Sequence, residues 1–198
     1  ADHAAAAKAH EGEADAHHAD HDPDAKEKVT RCPVGNRKTG RGAGICWSSE
    51  RNPTGRHEAQ AREHREVAEA HRQASAALRT AEDAACRGIA EEDRDMSPFD
   101  HFDDIASVDL IDGGATVHLR PLPGLTAEGL RQVLDCHLAR NASLGNVVPE
   151  MPACPLVPHG VTTTVEETNG AFSVSIRSTD QAVAAEIAAR AAKLRAAP

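Results

Sequence analysis

The chain is poor in aromatic residues, with three Phe, one Trp and no Tyr in 198 positions. Burial of large apolar side chains stabilises a fold by roughly 25 cal/mol per Å². Much of the 40% hydrophobic fraction is Ala, which offers little area. The core is therefore expected to be small, leaving a long stretch for a lone helix, a tail or a partner-binding segment. No apolar run approaches the roughly 20 residues that cross a bilayer, so no transmembrane segment is expected. An excess of basic charge is also missing. The formal charge is −9, and an acidic balance argues against nucleic acid, whose phosphates call for clustered Lys and Arg. Enzyme signatures are missing too: there is no GxSxG, HExxH, P-loop or Rossmann glycine pattern, and no CxxCH haem attachment.

Against these absences stand twelve His and five Cys. The chain starts at Ala1 and continues polar and Ala-rich. That is how an exported protein looks once its signal peptide is removed, or the region just behind a lipid-anchored cysteine. The expected location is periplasmic or outer-envelope, secreted or lipid-anchored, and there Cys residues imply disulfides. Five is odd, so one thiol is left over or bound elsewhere. The preferred pairs are Cys32 with Cys46 and Cys136 with Cys154, leaving Cys86 unpaired. The alternative ties Cys86 to Cys136 or Cys154 and clamps the preceding helix onto the domain.

Residues 1–28 contain no Val, Ile, Leu, Met or aromatic residue. With so little to bury, the segment is expected to be a disordered, acidic, His-rich tail. Residues 29–55 read as a Gly/Arg-rich loop closed by Cys32 and Cys46, with Trp47 docking it on the domain. Residues 56–88 form the strongest helical pattern, with Thr54 as N-cap and Gly88 at the C-terminus. A thin heptad stripe runs along it: His57, His64, His71, Leu78 and Ala85, with Val67, Ala74 and Ala81 three residues further on. This stripe suits packing on the domain or a homodimer with a second copy. Residues 89–104 look irregular, with Phe99 and Phe102 plugging the domain edge.

The remainder alternates cleanly. Val108, Leu110, Val117 and Leu119 flank an Asp112-Gly113-Gly114 turn, and a helix follows from about Thr126 to Asn141. After a Pro-rich loop, Val161, Thr163 and Val165 lead to Asn169-Gly170, and Phe172, Val174 and Ile176 return. Ser178 and Gln181 match a capping box that opens a last helix. The expected fold class is α+β: residues 89–198 as two ββα units giving a four-stranded antiparallel sheet with two helices on one face. The long helix and the disordered tail precede it.

Two groups of residues suit a transition metal, Zn or Cu. In the tail, His17, His18 and His21 lie among carboxylates, and neutral imidazole is the commonest ligand. In the domain, Cys136, His137, Met151, Cys154 and His159 are close in sequence, and thiolate, thioether and imidazole suit Cu(I) or Zn(II). The stripe His57, His64 and His71 is no site by itself. Residues seven apart on a helix are separated by roughly 10.5 Å, so it needs a second chain or the domain. Three readings follow: an exported envelope protein that binds or buffers metal; a non-enzymatic lipoprotein or scaffold that binds another envelope protein; and an enzyme built on Cys86, His101 and His118.

Overall fold

The structure, a computed structural model, describes residues 2–32 and 46–195, apart from the side chain of Phe102. The chain divides into two compact units, residues 4–72 and residues 73–198 with the first three.

The smaller unit is a helical hairpin with a small sheet between its arms. Its elements are α1 (His3–Ala19), β1 (Glu27–Arg31), β2 (Trp47–Arg51) and the first part of α2 (Gly55–Ala85). The tail expected to be disordered is thus mostly helix. Ala is the best helix former, and α1 buries Ala7 and Ala14 completely enough to make a seam without any larger apolar residue. The segment expected to be a loop begins and ends in strands, β1 and β2, paired antiparallel with Val29 opposite Ser49. The Cys32–Cys46 disulfide forms just beyond the last pair, Arg31 with Trp47. The Gly/Arg-rich stretch itself, residues 33–45, lies outside the described residues. Trp47, expected to be a docking residue, is 56% exposed on β2.

Thr54 does not cap α2 with its hydroxyl. That group lies 2.7 Å from Asn52 Oδ1 and 3.0 Å from the Asp22 carbonyl, and accepts from the Asp22 N–H at 3.0 Å. It fastens the end of the α1 segment to the start of α2. At the far end Gly88 takes φ 87°, the left-handed conformation that ends helices and that side chains other than Gly resist.

In the larger unit, strands β3 (Ile105–Ile111), β4 (Gly114–Leu119), β5 (Thr162–Thr168) and β6 (Ala171–Arg177) form one antiparallel sheet in the order β3-β4-β6-β5. Helices α3 (Ala127–Ser143) and α4 (Gln181–Leu194) each follow a hairpin, giving ββα twice. Asn169 and Gly170 both have positive φ, 51° and 78°, which is why Asn-Gly builds the β5–β6 turn. Ala115, Val117 and Leu119 from β4 and Phe172, Val174 and Ile176 from β6 pack in one core with Leu130 and Leu134 of α3 and Ile187, Ala191 and Leu194 of α4. Phe99 joins this core from the irregular segment, as its sequence position suggested. The cap of α4 is Asp180, whose carboxylate accepts from the N–H groups of Ala182 and Val183, rather than Ser178.

The Pro-rich connection after α3 turns inward near its end: Cys154, Leu156 and Val157 belong to the core. Its backbone is held by buried amides. Asn141 Nδ2 donates to the Leu156 carbonyl at 3.3 Å and Asn146 Nδ2 to that of Val157 at 2.9 Å. The end of α2 is fixed in the same unit by the Cys86–Cys136 disulfide and by Glu82. The side chain of Glu82 is 7% exposed and meets Arg140 Nη1 at 3.1 Å. It also accepts from Ser143 Oγ at 2.5 Å.

Candidate metal centre

Within the hairpin unit, one face of α1 carries His10, Ala14 and His17, and α2 presents His57, Ala61, His64, Ala68 and His71. Ala7, Ala14, Ala61 and Ala68 are buried. Small residues alternate with histidines at spacings of four and three, the heptad rule of paired helices. The partner positions along α2 are therefore Ala61 and Ala68, four residues after each histidine, and not Val67, Ala74 and Ala81. The histidine face expected to meet the domain or a second copy is covered by α1 of the same chain.

The helices run antiparallel along this face, so His10 meets His64 and His17 meets His57. The rings alternate between the helices. Centroids lie 5.6 Å apart for His17–His57, 5.4 Å for His17–His64, 5.4 Å for His10–His64 and 5.7 Å for His10–His71.

The tightest group is His10, Glu13 and His64. His10 Nδ1 lies 3.1 Å from His64 Nδ1 and 3.1 Å from Glu13 Oε2, and His64 Nδ1 lies 2.9 Å from the same oxygen. Glu13 is three residues after His10, hence on the same helical face. Glu13 Oε2 can accept an N–H from each ring, but that pattern leaves the His10–His64 edge with two protons and no acceptor. An imidazole nitrogen has one in-plane position, holding either a proton or a lone pair, yet each here faces two partners. A cation near the centre accepts one lone pair from each corner. Ligands about 2.0 Å from a tetrahedral ion stand about 3.3 Å from one another, close to the observed edges.

One heptad further along α1, the arrangement recurs. The ligand atoms of His17, Asp20 and His57 lie within 4.8 Å of one another, and the two Nδ1 atoms are 3.4 Å apart. Each group offers two imidazoles and one carboxylate, a donor set for Zn(II) or Cu(II) rather than for Cu(I). Both leave coordination positions for water. Along α1, Glu11, Glu13 and Asp15 outnumber the one Lys, Lys8, and Glu11 is paired with Arg72 of α2.

Of the tail histidines expected to bind metal, only His17 enters a group. His18 is exposed. His21 lies 3.4 Å from the Thr54 carbonyl and 3.8 Å from Glu58 Oε2, where it helps close the hairpin. The sequence reading missed His10, Glu13 and Asp20 as ligands. The signal was present as His-x-x-Glu and His-x-x-Asp, seven residues apart.

The second expected group comes together only in part. Cys136 is oxidised, paired with Cys86 and not with Cys154, so it offers no thiolate and Cys86 is not free. The free thiol is Cys154. Two Cys can pair only where their Cα atoms lie close. The end of α2 brings Cys86 to 4.5 Å from Cys136 in this measure. Cys154 Sγ instead lies 3.4 Å from His137 Nε2, with both residues buried. Met151 borders a small cavity with His137, while His159 is exposed. Burial lowers the His137 pKa to about 4 and pushes the Cys154 thiol up. The pair is thus a neutral thiol beside a neutral imidazole.

The chain matches no protein-family profile, and neither the curated proteins nor the solved structures contain a match to it.

A polar row crosses the open sheet face. His118 Nδ1 lies 2.9 Å from Ser173 Oγ and its Nε2 lies 3.0 Å from Asp109 Oδ2. The order Asp-His-Ser invites comparison with a nucleophile relay. Ser173, however, sits on a central strand with ladder partners on both sides, His118 and Glu166. Its neighbouring backbone N–H groups are committed to the sheet, leaving no donor pair for an oxyanion. The row is a cross-strand contact. Cys86 and His101 are no part of it, since Cys86 is a disulfide partner and His101 is exposed elsewhere on the chain.

No helix among the described residues is long and apolar enough to cross a membrane.

Proposed function

We propose that this protein binds divalent transition metal, Zn(II) or Cu(II), on the histidine seam of its helical hairpin, and carries or buffers those ions in an oxidising compartment of the cell envelope. The observation that carries the reading is the His10–Glu13–His64 triangle, whose contacts of 2.9–3.1 Å bring three ligand atoms to about the spacing that a shared cation requires. Three protein ligands with open positions fit an exchangeable ion. A purely structural zinc is usually closed by four. The side chains remain partly exposed, at 31% for His10, 27% for His64 and 55% for Glu13, so an ion can enter and leave without unfolding. Two disulfides support a periplasmic, secreted or lipid-anchored setting.

The test is calorimetric titration of the oxidised full chain with Zn(II). We expect about two ions per chain, given two three-ligand groups. Binding should vanish in the double variant His57→Ala/His64→Ala and persist in Cys154→Ser. Unchanged binding in the double variant would overturn the assignment.

A second reading, an interaction module for another envelope protein, is favoured by the two sheet edges. Strands β3 and β5 each pair on one side only, and an open edge can take a further strand.

A further inference from the structure

The two His–carboxylate groups draw unequally on the helices. His10, Glu13, His17 and Asp20 come from the α1 segment, while His64 and His57 come from α2. Neither group exists unless the helices lie side by side in one register. Apart from the imidazoles, the buried part of the seam in this unit is Ala7 and Ala14 with Ala61 and Ala68. Methyl groups provide little apolar area for holding a helix in place, and docking it restricts many side chains and backbone angles. Thr54 and His21 tie the C-terminal end of the α1 segment to α2, but along the helix itself the flanking contact is exposed: Arg72 bridges Glu11 and Glu69 at the surface, where ion pairs contribute little.

Building on the metal-binding reading above, we propose that the two ions bind cooperatively, because the first ion latches α1 onto α2 and thereby assembles the second site. An ion held by His10, Glu13 and His64 joins the helices at one point. That fixes the register in which His17 and Asp20 face His57, one heptad away. The ring stack of His17 on His64, at 5.4 Å, links a ligand of one group directly to a ligand of the other. The ordering of α1 is then required once, at the first binding step, and the second ion meets a formed site. Coupling through an ordering step of this kind needs no further change of structure. The seam is thus a device whose closed form is set by free Zn(II) or Cu(II), and whose N-terminal helix is released when the ions leave.

The test combines calorimetry with amide hydrogen exchange on the oxidised full chain, using Zn(II) in a buffer that does not coordinate it. The latch predicts two ions with a Hill coefficient above one. It also predicts that amides of residues 4–19 exchange at least about tenfold more slowly with Zn(II) than without, within the usual range of coupling. Amides of β4 and β6 should not change. In His64→Ala the one remaining site should bind at least about fivefold more weakly than the second ion binds the parent chain, while in the same sample β4 and β6 stay protected. Two equal, independent binding events, with α1 equally protected in both states, would discard the latch and leave the metal reading intact. No binding by the parent chain would discard both.

Discussion

An imidazole nitrogen has a single in-plane position, and at several places in this chain that fact decides what a histidine can do. His10 and His64 each face two partners with one such nitrogen, the arrangement on which the proposed cation site rests. His137 faces one sulfur in a buried site, which points to neutrality. Its pKa falls to about 4 because burial disfavours the imidazolium, whereas in the unfolded chain the ring takes up a proton near its ordinary value of about 6.5. Between these pH values the unfolded state binds more protons, so stability rises with pH. His137 is expected to remove about 3 kcal/mol of stability as pH falls from about 6.5 to about 4, and nothing further below that. Urea unfolding of the parent and His137→Gln at stepped pH values should differ by this slope. Parallel curves would refute the assignment. Glu82 makes a second prediction at this scale. Its carboxylate is buried between Arg140 and Ser143, so Arg140→Ala should cost about 2 kcal/mol in the same assay, and Arg140→Lys less. Cys32–Cys46 could be read from the sequence, but the partner of Cys136 stayed open between Cys154 and Cys86, because spacing fixes loop length and not the separation of Cα atoms.

Individual elements differed in how legible they were. Both hairpins could be read in advance, since period-2 alternation and turns such as Asn169-Gly170 are local properties. Helix α1 could not, because the reading looked for large apolar residues and α1 has none. Its seam of Ala7, His10, Ala14 and His17 acquires meaning only opposite Ala61 and His64, more than forty residues away. The same holds for Trp47, whose exposure depends on where β2 lies. Gly114 makes a sharp prediction for the sheet. It has φ 154°, and a Cβ there would stand 2.0 Å from the Ile176 carbonyl oxygen. Gly114→Ala should therefore cost on the order of 3 kcal/mol by pushing β4 from β6, visible as a lowered thermal midpoint. Gly124→Ala, with positive φ but no atom within 4 Å of the new Cβ, should cost less. The Cys86–Cys136 link closes a separation of 50 residues, and chain entropy predicts a loss of about 4 kcal/mol in Cys86→Ser/Cys136→Ser. Thiol titration of the unfolded, unreduced parent should find one reactive group, Cys154.

At the scale of the whole chain, two units share one long helix and divide the chemistry between them. The larger unit uses its Cys and His for stability, in the Cys86–Cys136 disulfide and the neutral Cys154–His137 pair. The hairpin unit, with hardly any apolar side chains, gathers imidazoles and carboxylates where a core would otherwise be. The sequence reading expected metal, with the tail as one of its places. It could not identify the site, since half of each His pair comes from α2. The central claim is that ions sit on nitrogen and oxygen donors of the hairpin and not on the sulfur of the larger unit. X-ray absorption spectroscopy at the zinc edge of the loaded full chain tests this most directly. The account predicts nitrogen or oxygen neighbours at about 2.0 Å, with the outer-shell pattern of about two imidazoles per ion and no sulfur shell. A sulfur neighbour at about 2.3 Å would place the metal on Cys154 and contradict it.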